Sequence, residues 1–155
     1  MRKTILILLI LSFASWGISA KTIPAGFVDL ALPSGTLWKS TNEQGLYTYI
    51  SAKYYFGNAL PNKAQFEELL YNCTWKWTGK GYKVTGPNQN FIYIPFDGYE
   101  DCDEDSHDVG IGARIWTLNN ASANFAYYCA FYDNYRGIVE DSNCLKLSVR
   151  LVINE

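Results

Sequence analysis

Histidine is almost missing from this sequence: His107 stands alone among 155 residues. Cysteine is sparse as well, and Cys73, Cys102, Cys129 and Cys144 form no C-x-x-C pair. Zinc held by closely spaced Cys and His ligands is therefore excluded, and no metal or cofactor is expected. Basic residues are few, thirteen Lys and Arg against fifteen Asp and Glu, for a net charge of −2. A nucleic-acid partner calls for a basic stripe, so none is expected. No repeat or linker divides the chain, which reads as a single domain.

Residues 1–20 have the build of a signal peptide. Arg2 and Lys3 precede the apolar run Ile5–Leu11, and Ile18-Ser19-Ala20 offers small residues before Lys21. Removing Arg2 and Lys3 takes the net charge from −2 to −4. No later stretch reaches the roughly 20 apolar residues that a spanning helix needs. The mature domain, 21–155, is thus expected to be secreted, periplasmic or displayed at the cell surface, with no membrane span. In an oxidising compartment four cysteines allow disulfides. Cys129–Cys144 is the favoured pair, closing a short loop for roughly 3 kcal/mol, and leaves Cys73–Cys102. The alternative is reduced, buried cysteines acting as small apolar groups.

Along the mature chain, Phe27–Leu32 reads as a first strand, broken by Pro33-Ser34-Gly35, and Thr36–Thr41 as a second. The stretch Leu46–Phe56 starts extended and can turn helical after Ser51. Asn62, with Gln65 three residues on, has the pattern of a capping box. Phe66, Leu69, Leu70 and Cys73 follow at helical spacing, with Glu67 and Glu68 turned outward. Thr74–Thr78, Tyr82–Thr85 and Phe91–Ile94 read as three short strands joined by Gly-rich turns. The order of elements implies an α+β domain, mostly antiparallel sheet with one or two helices and long C-terminal loops.

Asp101, Asp103 and Asp105 alternate as the first ligands of a calcium loop do. The pattern then fails, because Ser106 stands where Gly is required and Gly112 where a bidentate Glu belongs. His107 lacks any accompanying nucleophile motif, and no catalytic residues are expected. The aromatics divide into two groups. Trp38, Trp75, Phe91 and Tyr93 alternate within strands and are read as core, while Trp77 fits either face. Trp116 suits a core plug or the base of a binding loop. Candidate ligand-binding residues are Trp116, with Asn119, Asn120, Ser122 and Asn124 in one loop and Tyr132, Asp133, Asn134, Tyr135 and Arg136 in another. Tyrosine and arginine on such loops supply rigid rings and forked donors, the residue types that carry interface energy. A protein or glycan ligand is expected, recognised without chemistry. The same loops would alternatively join subunits of a surface or pilus-type assembly.

Several motifs occur in one order across nearly the whole mature chain. They are Phe27–Trp38, Cys73–Trp77, Gly81–Asn88, Phe91–Pro95, Ile115-Trp116-Thr117 and Ser148–Val152. The chain thereby resembles the Fibrobacter succinogenes major paralogous domain family, found in exported proteins of Bacteroidetes. The resemblance implies a C-type-lectin-like fold, with the termini paired in one sheet and long loops displayed at one end. Two departures stand out: Trp116-Thr117-Leu118 replaces the usual Trp-Ser-Ser or Trp-Ser-Ala, and an acidic run precedes that strand. Some proteins of this fold are diversified by retroelements at loop Asn, Tyr, Ser and Asp positions. Here those would be Asn119, Asn120, Ser122, Asn124, Tyr127, Tyr132, Asp133, Asn134 and Tyr135.

Overall fold

The computed structural model describes residues 22–154, so the leader read at 1–20 lies outside the described residues. Strands β1 (Phe27–Asp29) and β2 (Leu37–Lys39) are shorter than the sequence patterns suggested. After β3 (Tyr47–Thr48) the chain turns at once into helix α1 (Tyr49–Phe56). The Thr48 side chain caps it by accepting from the Ser51 amide at 3.2 Å. Helix α2 (Lys63–Asn72) carries the capping box expected of Asn62 and Gln65, with bonds of 2.8 and 2.9 Å. Strands β4 (Thr74–Trp77), β5 (Gly81–Thr85) and β6 (Phe91–Pro95) form an antiparallel sheet.

The acidic stretch contains two short strands, β7 (Tyr99–Glu100) and β8 (Ser106–His107). Then come β9 (Gly112–Asn120), β10 (Phe125–Tyr132) and β11 (Tyr135–Ser142), followed by β12 (Lys146–Leu147) and β13 (Val152–Ile153). Strand β13 pairs antiparallel with β2, and β1 lies on the other side of β2, so both ends of the domain share one sheet. The protein is an α+β domain dominated by antiparallel pairing.

The C-terminal third departs from the reading of long loops. It is a tight meander, β9–β10–β11, in which every residue of β10 has a partner on β11. A two-residue turn, Asp133-Asn134, joins β10 to β11, and only residues 121–124 separate β9 from β10. Both faces of this sheet are covered. On one, Ala113, Ile115, Cys129, Phe131 and Ile138 meet Phe66 and Leu69 of α2 in one core. On the other, Trp116, Ala126, Tyr128, Ala130 and Val139 meet Tyr49 and Ala52 of α1 and Leu147 of β12 in a second. A strand buried on both sides reads as a continuous apolar run rather than an alternation, and 125–132 has that character.

The disulfide pairing differs from expectation. Cys102 and Cys144 are bonded, with a Cα separation of 5.2 Å, while Cys73 and Cys129 are free. Cys129 is opposite Ile138 and Ile115 in the middle of β10 and points into the first core. A thiol there cannot meet Cys144, which lies exposed in the turn before β12. Burial pushes the Cys129 thiol well above its ordinary pKa, and Cys73 is pushed up to about 11 by burial and the nearby Glu68. Both behave as small apolar side chains.

A buried arginine ties the terminal sheet to its neighbour. Arg150 Nε donates to Asn42 Oδ1 at 2.8 Å, Nη1 to the carbonyls of Lys39 and Ser40 at 3.2 Å, and Nη2 to the Tyr93 carbonyl at 2.8 Å. Burial depresses its pKa to about 10, and it stays charged at neutral pH.

Candidate binding site

The proposed ligand-binding residues separate into two groups at opposite ends of β10. Asn119–Asn124 lies at its start and Tyr132–Arg136 at its finish. Eight extended residues span about 25 Å, so the two groups do not form one continuous surface. The expectation of a single displayed end is corrected accordingly. The cause is β10 itself, which runs extended from one group to the other and is paired along its length with β9 and β11.

Several of the named residues are committed to the fold. Trp116 is fully buried, with Nε1 donating to the Tyr47 carbonyl at 2.7 Å and its ring edge-on to Tyr49 and Tyr128. It is a core plug and not a loop base. Asn119 Oδ1 accepts from the Lys63 amide at 2.9 Å, adding to the cap of α2. The turn beyond it is pinned by Ala121 and Ser122 amides on the Phe125 carbonyl and by Asn143. Asn120 and Ser122 remain exposed and line a hollow of about 330 Å³ with Ile50 and Lys53 of α1.

Tyr132 is likewise engaged. Its hydroxyl donates to Asp108 Oδ2 at 2.7 Å and accepts from Arg114 Nε at 3.2 Å, and burial holds its pKa up. The Arg114 guanidinium lies 3.6 Å over the Tyr99 ring and within ion-pair range of Asp108 and Asp141. His107 stacks on the same Tyr99 ring, and its Nε2 meets Asp101 Oδ2 at 2.7 Å. That bond, with the Asp103 and Asp105 amides donating to Asp101 Oδ1, holds the Asp101 carboxyl below the usual range. Asp101 thus organises its own loop. No group of three or more His, Cys, Asp or Glu among the described residues is arranged to hold a metal ion. Lys146 reaches Glu100 at 3.2 Å and Glu104 at 2.6 Å, so the acidic loop is held to β12 by ion pairs as well as by Cys102–Cys144.

What remains at the far end of β10 is a groove. The start of β11 and one face of α2 enclose about 560 Å³, lined by Glu67, Leu70, Tyr71, Asn134, Tyr135 and Arg136. The turn forming its floor is fixed from below, because the Tyr82 hydroxyl lies 2.8 and 2.5 Å from the carbonyls of Tyr132 and Asp133. The Arg136 guanidinium sits 5.2 Å from the Trp75 ring and 5.0 Å from the Tyr82 ring. Such stacking sets its direction while leaving donors free. Tyr71 is 85 % exposed and Tyr135 47 %. The groove therefore offers two accessible rings, a cation and a carboxylate on rigid elements. Gly137 makes room for the Tyr135 ring, since a Cβ there would come within 2.7 Å of the Tyr135 hydroxyl.

Sequence reasoning found Asn134, Tyr135 and Arg136 but missed the opposite wall. The signal was present: Tyr71 is a large ring off the apolar stripe of an amphipathic helix. Phe91 and Tyr93 were also misplaced. They point outward from β6, 51 % and 36 % exposed, while Ile92 and Ile94 fill the core. Trp38 is core as expected, Trp75 packs against it half-buried, and Trp77 sits at its margin against Phe96. Comparison with known families, curated proteins and solved structures finds no match to this chain.

Proposed function

We propose that this chain is an exported, non-catalytic binding module that takes a protein or glycan ligand in the α2–β11 groove. The observation that carries the proposal is the pairing of Tyr71 with Tyr135 across a groove that also holds Glu67 and a stacked Arg136. Rigid rings contribute contact area with little entropy loss, and the charged pair supplies both donor and acceptor. The Cys102–Cys144 disulfide suits an oxidising compartment, and no helix among the described residues is long and apolar enough to cross a membrane. The proposal includes membership of the Fibrobacter succinogenes major paralogous domain family and a C-type-lectin-like fold. The paired termini and the antiparallel α+β architecture support both. Of the positions suited to diversification, Asn134 and Tyr135 line the groove and would change the ligand directly.

Screening the mature protein against glycan and protein arrays tests the reading. Tyr71→Ala and Tyr135→Ala should each weaken the bound ligand by about tenfold or more while the melting temperature holds. Unchanged binding in both variants would remove the groove from the account. A second reading, a self-assembling structural subunit, is favoured by one observation: β11 is an edge strand with no partner on its outer side among the described residues. Edge strands template pairing with other chains. Sedimentation over a wide concentration range separates the two readings, because only the subunit should assemble.

A further inference from the structure

One stretch of this acidic protein carries only positive charge. Residues 74–95 contain Lys76, Lys80 and Lys83 and no Asp or Glu, whereas the acids cluster between Asp97 and Asp108. The basic stretch is the sheet β4–β5–β6, and its outward face is an ordered grid. Lys76 is opposite Lys83, which is opposite Tyr93; two residues along, Thr74 is opposite Thr85, which is opposite Phe91. Like charges directly across an antiparallel pair are destabilising. No carboxylate pairs with Lys76, Lys80 or Lys83 among the described residues. Lys83 Nζ instead rests 4.0 Å over the Phe91 ring, and the Tyr93 hydroxyl is tethered 3.1 Å from Thr78 Oγ1. Beside the grid is a hollow of about 320 Å³ lined by Asn72, Thr74, Lys76, Lys83, Thr85 and Gln89.

We infer that this face binds a uronate-bearing polysaccharide, at a site separate from the α2–β11 groove. Each feature matches one part of that ligand. Two exposed rings offer flat apolar surfaces for the C–H faces of pyranose rings. Lys76 and Lys83, on neighbouring strands about 5 Å apart at the backbone and without a carboxylate partner, meet carboxylates carried outside the sugar ring. The threonine hydroxyls and the amides of Asn72 and Gln89 suit ring hydroxyls, which a uronate keeps free and a sulfate ester consumes. Single-stranded nucleic acid shares the stacking and the charge, but its sugar–phosphate backbone offers few or no free hydroxyls to the threonines and amides of this face.

The test uses the mature full-length protein with sodium polygalacturonate, measured by affinity electrophoresis and calorimetry. Dextran serves as the neutral control and oligothymidylate as the nucleic-acid control. Wild type should bind polygalacturonate more tightly than either control, and affinity should fall as salt screens the lysines. Lys76→Gln combined with Lys83→Gln should weaken binding roughly tenfold or more. The double variant removes a like-charge pair, so its melting temperature should hold or rise. Tyr135→Ala, at the groove, should bind polygalacturonate as wild type does, which separates this site from the groove. Absence of polygalacturonate binding, equal binding by the double variant, or tighter binding of oligothymidylate would each overturn the inference.

Discussion

Breaking Cys102–Cys144 should cost this domain a large part of its stability. The bridge spans 42 residues of sequence. On the chain-entropy model a loop of that size is worth about 4 kcal/mol, more than the roughly 3 kcal/mol of the shorter loop from Cys129 to Cys144. Inside that span lie β8, β9, β10 and β11, so the open chain gains freedom for most of the central meander. A domain of this length loses about 3 °C in melting temperature per kcal/mol, which makes the expected drop about 12 °C. The measurement is scanning calorimetry of the oxidised protein and of a Cys102→Ala/Cys144→Ala variant, with alkylation and mass mapping of the thiols. Cys129 should react only after unfolding, since it is fully buried, and Cys73 should react slowly. If the variant melts within about 3 °C of wild type, or if mapping finds Cys129 joined to Cys144, the reasoning fails.

Two further perturbations probe the frame. Arg150→Met takes the donor away from the oxygens of Asn42, Lys39, Ser40 and Tyr93, at about 1–3 kcal/mol for each that water does not reach. It also removes the burial cost of the cation, the same cost that depresses its pKa, which offsets part of that loss. The expected outcome is a net destabilisation of roughly 1–3 kcal/mol or more, measurable by urea melts; a neutral result would show that water replaces the guanidinium. Acid should loosen the loop at 100–107. Asp101 has a folded pKa below its unfolded value of about 3.9. Its contribution is therefore present above that value and lost as pH falls through the folded pKa. Asp101→Asn should flatten stability against pH below about pH 4, and an unchanged slope would show that His107 does not hold it.

How far the sequence reached depended on the range of the interactions. Local signals were sound: the capping box at Asn62 and the turns around β5 follow from neighbours within a few residues. Alternation showed that Phe91–Ile94 is a strand but not which face is inward, because Phe, Tyr and Ile all qualify as core. Burial of Ile92 and Ile94 came from the position of α2 and β10, elements far along the chain. The polar residues Asn119 to Asn124 and Tyr132 to Arg136 read as loops since they interrupt apolar runs. Pairing of Tyr132 with Tyr135 made the second of them a tight turn.

The sequence alone therefore determined the class of the fold, the capped helix α2, and the exposure of Tyr135 and Arg136 next to a turn. Only the tertiary structure decided which cysteines meet, which end of β10 each polar cluster occupies, and what stands across from Tyr135. Those outcomes depend on where strands distant in the chain come to lie. Local composition sets which side chains can be buried; the packing of both cores against β10 decides which ones are.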